Sequence, residues 1–232
     1  MKIIELPIEF EFKGQKNYIY PSLIILNNEL TLVDTGYANF IPLIENEILK
    51  NGYEVKDLKN IIITHYDDDH IGSLYDFKEK YPWINIIASE SESKYISGEI
   101  KSERLVQAEE MLENMTMKEI EFGKWFVQQL KNLKHVSIDE KVHNGDMILD
   151  NKCRVVATPG HTSGHTSGHI SLYFPSLKSV ITGDAAVNED DELILANPQF
   201  CLNIEKAQQS LKKIKNLKAE TYYCYHGGKV TL

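Results

Sequence analysis

Cysteine is scarce in this sequence: three residues in 232, at positions 153, 201 and 224, with no CxxC pair. That scarcity excludes a disulfide framework and reads as three reduced thiols in a cytoplasmic protein. Cys224 precedes His226 by two residues, close enough for a ligand role to be considered. Basic charge is also in deficit, with 25 Lys and Arg against 34 Asp and Glu and a net charge of −9. Such a balance argues against nucleic acid or an anionic membrane as the main partner. No apolar run approaches the roughly 20 residues that span a bilayer. Residues 1–12 alternate apolar with acidic positions and do not resemble a signal peptide. Low-complexity linkers and long-period repeats are lacking too, so a single domain over residues 1–232 is expected.

What is present alternates strand and helix patterns. Residues 18–26 and 29–34 read as strands joined by the tight-turn pair Asn27-Asn28. Residues 41–51 have helical apolar spacing and stop at Gly52. Asn60 to Thr64 holds the run Ile61-Ile62-Ile63, the texture of a strand buried on both faces. Residues 71–80 read as a helix and 83–88 as another buried strand. Between 99 and 134 two amphipathic helices broken near 114–116 are expected. This insertion, about 91–134, is either structural padding or a cover over a cleft. Strand patterns return at 147–149, 153–157, 170–174 and 179–182, followed by a helix over 204–217 and a strand over 221–225. Strands bracketed and followed by helices suggest sheet packed on sheet with helices outside.

The chemistry concentrates at strand ends. His65, Asp67, Asp69 and His70 fall within six residues just past the isoleucine strand. Imidazole and carboxylate suit zinc, iron or manganese, and the three adjacent aspartates repel one another unless a cation neutralises them. A glycine-rich stretch carries His161, His165 and His169; Gly183-Asp184 follows a strand, and so does His226. Histidine or aspartate at four separate strand ends is the distribution of a site assembled along one sheet edge.

In this order, His65-x-Asp67-x-Asp69-His70, Pro159-Gly160-His161, Gly183-Asp184 and His226 resemble the metallo-β-lactamase-fold hydrolase superfamily. Val33-Asp34-Thr35-Gly36 matches that family's early aspartate motif, and the resemblance covers nearly the whole chain, closest to small stand-alone bacterial members. It implies an α/β fold: a four-layer αββα sandwich with a helical insertion and a dinuclear metal site at one edge of the sheets. Carried over, His65, Asp67 and the Pro-Gly-His histidine hold one divalent ion, Asp69, His70 and His226 the other, and Asp184 bridges. Asp34 and His169 would orient these groups by hydrogen bonds.

Two departures from the family pattern matter. Asp67 stands where most members have histidine, which makes the first position harder and moves the preference from zinc toward iron or manganese. The diiron branch of the fold carries Glu there, with a flavin domain for which 232 residues leave no room. The His-Thr-Ser-Gly unit is also doubled, so either His161 or His165 is the ligand, and the Pro159-Gly160 turn favours His161. His135 and His143 lack such context and are expected on the surface. The resemblance implies two ions, zinc first, sharing a water whose pKa falls toward about 7, with Asp69 as the catalytic proton carrier. The expected substrate is a small ester, lactone or thioester; a phosphodiester, or diiron redox chemistry, is the alternative.

Overall fold

The computed structural model describes residues 1–161, 168–198 and 201–232. Among these residues sixteen strands occur. The first eight are β1 (Lys2–Glu5), β2 (Ile8–Phe12), β3 (Gln15–Ile19), β4 (Ser22–Leu26), β5 (Glu29–Val33), β6 (Leu58–Ile63), β7 (Asn85–Ser89) and β8 (Glu140–Val142). The others are β9 (Met147–Ile148), β10 (Cys153–Ala157), β11 (Ile170–Phe174), β12 (Ser179–Gly183), β13 (Val187–Glu189), β14 (Glu192–Ile194), β15 (Thr221–Cys224) and β16 (Gly228–Thr231). The helices are α1 (Ile41–Lys50), α2 (Asp68–Ile71), α3 (Leu74–Lys80), α4 (Glu90–Ile96), α5 (Glu103–Leu112), α6 (Ile120–Asn132) and α7 (Ile204–Asn216).

Two six-stranded sheets form, in the orders β1-β4-β5-β6-β7-β8 and β16-β15-β12-β11-β10-β9. The alternation of side chains along a strand explains why they stack. On β6, Ile61 and Ile63 face a cluster with Ile44, Ile48 and Phe77 of the helical layer, while Ile62 faces the second sheet. On β12, Ile181 joins that inter-sheet cluster and Val180 turns outward toward Ile214 of α7. Each fully buried isoleucine contributes roughly 1.5–3 kcal/mol. The result is helix, sheet, sheet, helix: the four-layer sandwich expected from the sequence.

Strand pairs β5–β6, β6–β7 and β7–β8 run parallel in the first sheet, and β12–β15 in the second. The C-terminal ends of β5, β6, β12 and β15 therefore carry Asp34, His65, Asp184 and His226 respectively. Asn27 and Asn28 take φ of 50° and 66°, the left-handed pair of a hairpin turn that suits the strand twist. The acidic-apolar alternation near the N-terminus is itself strand: β1 joins the first sheet and β2–β3 forms a separate hairpin. Trp83 stands outside its expected strand, 53% exposed. Its indole caps Leu58 O at 3.2 Å instead. The insertion contains α4, α5 and α6, the last two packing through Ala108, Val127 and Leu130. Among the described residues no helix is long and apolar enough to cross a membrane.

Candidate metal centre

The backbone delivers the site through short connections. Asp67 ends an extended segment after β6, with φ −98° and ψ 153°, and α2 begins at Asp68. That single turn aims Asp69 and His70 back over the sheet edge. Gly72 permits it, because a Cβ there would lie 2.4 Å from Ala38 N. Gly183 has φ of +53°, and a Cβ on it would lie 2.7 Å from His169 Nε2. Glycine at 183 thus lets Asp184 turn inward beside that imidazole.

Two groups of side chains converge within ligand distance: His65, His161 and Asp184, and Asp69, His70 and His226. In each, the donor atoms lie within 4.8 Å of one another. Asp184 belongs to both neighbourhoods. Its Oδ1 is 3.3 Å from His70 Nε2, and its Oδ2 is 3.3 Å from His161 Nε2 and 3.5 Å from His226 Nε2. Asp69 Oδ2 lies 3.2 Å from His226 Nε2 and 3.7 Å from His70 Nε2.

Hydrogen bonds behind the ring fix which nitrogens point inward. His70 Nδ1 faces Asp34 Oδ2 at 2.9 Å and His65 Nδ1 faces Thr64 Oγ1 at 3.0 Å. Asp34 is itself held by the Thr64 backbone N–H and hydroxyl, both at 2.9 Å. His169 Nε2 accepts the Asp184 backbone N–H at 3.0 Å, so its Nδ1–H donates to Thr158 Oγ1 at 2.8 Å. Asp34 and His169 thus hold the positions of orienting partners. The Tyr225 hydroxyl donates to the Asp69 carbonyl.

The donor set fits divalent metal. His65 Nε2, His70 Nε2 and Asp184 Oδ1 are buried and make no hydrogen bond. Uncompensated buried polar atoms are costly, and cations held by the two groups are what would satisfy them. Without a cation, protons substitute. Burial alone would push the His161 and His226 imidazoles down, but Asp184 beside both raises them to about 9 and about 10. Asp67 assists at the first and Asp69 at the second. Asp68 is pushed up to about 7 by burial and by the flanking Asp69 and Asp67.

Asp67 enters the site differently from its neighbours. Its Oδ2 is 3.2 Å from His161 Nε2 and 3.4 Å from His65 Nε2, as a ligand role requires. Yet Arg104 of α5 grips both oxygens: Nε donates to Oδ1 at 3.2 Å and Nη2 to Oδ2 at 2.8 Å. Burial pushes the Asp67 carboxyl up, but the guanidinium charge, joined by the His65 and His161 imidazoles, outweighs it and holds the group well below the usual range. Sequence reasoning missed Arg104. A signal existed: the chain has only two arginines, Arg104 and Arg154, among 25 basic residues. In so lysine-rich a chain, an arginine is a candidate for two-pronged carboxylate binding.

Of the remaining candidates, His161 reaches the centre and His165 lies outside the described residues. Cys224 is buried in the outer apolar cluster, where burial pushes its thiol up to about 12; that accounts for the residue as core packing. His143 is exposed and pairs with Glu90 at 2.8 Å, and His135 is exposed as well.

A cavity of about 440 Å³ opens above the cluster, floored by Asp67, Asp69, His161, Asp184 and His226. Its walls come from the β2–β3 hairpin, the segment after β5, and α6 of the insertion. The insertion therefore supplies one wall of the cavity.

The sequence profile of the metallo-beta-lactamase superfamily matches residues 17–226. The Bacillus subtilis (strain 168) protein named "Probable metallo-hydrolase YflN" is 26% identical over 219 residues, covering 86% of this chain and 76% of that protein. A Nostoc sp. protein described as putative diflavin flavoprotein A 2 is 29% identical over 117 residues, 49% of this chain; the matched part is only 20% of that longer protein. Among solved structures, the metallo-beta-lactamase family protein TTHA1429 from Thermus thermophilus superposes with a TM-score of 0.72 at 18% identity. That match covers 99% of this chain and 74% of TTHA1429.

Proposed function

Because the chain belongs to the metallo-beta-lactamase superfamily, we propose that it is a dinuclear metal-dependent hydrolase acting on a small ester, lactone or thioester. The observation that carries this reading is Asp184, whose two oxygens face the two ligand groups at once. His65, His161 and Asp184 would hold one ion, with Asp67 beside them; Asp69, His70 and His226 would hold the other. Divalent ions there supply Lewis acidity and lower the pKa of a water from 15.7 toward about 7.

The chain's own residues supply the rest. Asp69 carries the proton: its carboxylate faces the cavity, and Tyr225 and α2 hold its backbone still. It takes a proton from the attacking water and returns it to the leaving oxygen or sulfur. Asp34 and His169 keep the imidazole and carboxylate donors aimed while charge develops.

Zinc is the favoured ion in this reading. Asp67 alone would make the first position harder, but Arg104 cancels its charge and leaves an imidazole-rich donor set. Diiron redox chemistry is the second reading, and the similarity to a diflavin flavoprotein favours it. The test is a screen of metal-quantified protein against lactones, thioesters, phosphodiesters and β-lactams, beside protein purified anaerobically. Turnover of the first two classes supports the proposal. Redox-active iron with no esterase activity supports the second reading.

A further inference from the structure

The cavity's walls are unusual in that their apolar side chains are aromatic. Strand alternation puts Phe10 and Phe12 of β2 on one face, and helical spacing puts Phe122, Trp125 and Phe126 of α6 on one side. Phe10, Tyr37 and Phe40 form the inner wall, their ring centroids 5.3 to 5.5 Å apart. Phe12 meets Trp125 at 5.7 Å, and Trp125 stacks on Phe122 at 5.5 Å, which closes the outer wall. No aliphatic side chain lines the cavity among the described residues.

Folding does not explain the outer wall. The insertion docks α5 on α6 through Ala108, Val127 and Leu130. Phe12, Phe122 and Trp125 remain 39%, 41% and 44% exposed. Large aromatics gathered half-exposed above polar groups mark a binding surface. Facing flat walls select a flat guest, which stacks offset or edge-on. The volume of about 440 Å³ is near the small end of ligand sites, which run roughly 300–1,000 Å³. A cation is already seated at the outer wall, where Lys13 Nζ lies 3.9 Å from the Phe122 centroid. A cationic guest is therefore disfavoured at that wall.

We infer that this cavity binds an arylalkyl acyl group, with the scissile carbonyl lying over Asp69, Asp184 and His226. The inference rests on the hydrolase reading for the carbonyl, but not for the aromatic recognition. Two measurements separate them. On metal-loaded protein, kcat/KM for a 4-phenylbutyryl thioester exceeds that for the acetyl thioester by on the order of 10- to 100-fold. Phe122→Ala combined with Trp125→Ala shrinks that ratio about tenfold, with circular dichroism confirming the fold. On a Trp83→Phe protein, whose remaining tryptophan is Trp125, 4-phenylbutanamide shifts or quenches the fluorescence saturably and acetamide does not, with or without metal. A kcat/KM ratio near one, or the absence of a fluorescence response, overturns the inference. If no thioester or ester is turned over at all, the hydrolase reading fails and the fluorescence titration still decides this one.

Discussion

Arg104 and Asp67 form a buried two-pronged ion pair, with Nε–Oδ1 at 3.2 Å and Nη2–Oδ2 at 2.8 Å, that ties the helical insertion to the metal centre. Their side chains are only 5% and 10% exposed. Removing one partner of such a pair strands a charge and costs about 3–5 kcal/mol. Arg104→Met should therefore lower the urea-unfolding free energy of metal-free protein by about that amount. The Asp67→Asn, Arg104→Met double variant should recover much of the loss. Saturating divalent metal should shrink the single variant's deficit, because a cation beside Asp67 replaces the guanidinium. A deficit under about 1 kcal/mol would show the pair to be incidental.

Asp69 is assigned the proton and His65, His161 and Asp184 a separate ion. Asp69→Ala should thus cut kcat about 10²- to 10⁴-fold while the protein still retains at least one ion per chain by elemental analysis. Wild-type turnover in the variant would remove Asp69 from the mechanism.

Asp34 touches no candidate ion, yet it orients His70 at 2.9 Å. Partners of this kind typically change metal affinity about 10- to 100-fold. Asp34→Asn should weaken the tighter or looser of two binding steps by that factor in competition with a chromophoric chelator, leaving the other step near its original value. Unchanged affinity in both steps would mean that Thr64 and packing alone hold His70.

The His161 and His226 values of about 9 and about 10 lie above the 6.5 of a free imidazole. A group whose folded pKa is raised contributes stability that is complete below its unfolded pKa and is lost as pH rises through the folded one. Metal-free protein should lose thermal stability between about pH 6.5 and pH 10, and His226→Gln should flatten that slope. Metal displaces these protons, so uptake at about pH 7.5 should release protons in a weakly buffered titration. Uptake without proton release would contradict the ion pairs described here.

Much of this site was legible because its residues sit at strand ends. The Ile61-Ile62-Ile63 run announced a strand buried on both faces, and the residues just past such a strand in a parallel sheet lie at its C-terminal edge. The strand-end pattern drew attention to His65, Asp184 and His226, and the resemblance to the superfamily is what implied their ligand roles. The β2–β3 hairpin was less legible: the apolar-acidic alternation over residues 1–12 argued against a signal peptide without defining a strand pair. The aromatic walls were not legible, and Arg104 left only the compositional signal of being one of two arginines. They reach the centre from segments distant in sequence, 37 residues in the case of Arg104 and Asp67, and only tertiary packing brings them there. Periodicity identified α6 as amphipathic, but a helix with one face in a small core and another over a cavity shows the same spacing on both.

The central claim is that two ligand groups sharing Asp184 drive hydrolysis. Its most direct test is a metal titration of chelator-stripped protein, with bound ions counted by elemental analysis and kcat/KM for a thioester or lactone read at each point. The account predicts that activity climbs with occupancy to two ions per chain, disappears on chelation and returns on reloading. Full activity in metal-stripped protein, or none against any ester, lactone or thioester at two bound ions per chain, would contradict it.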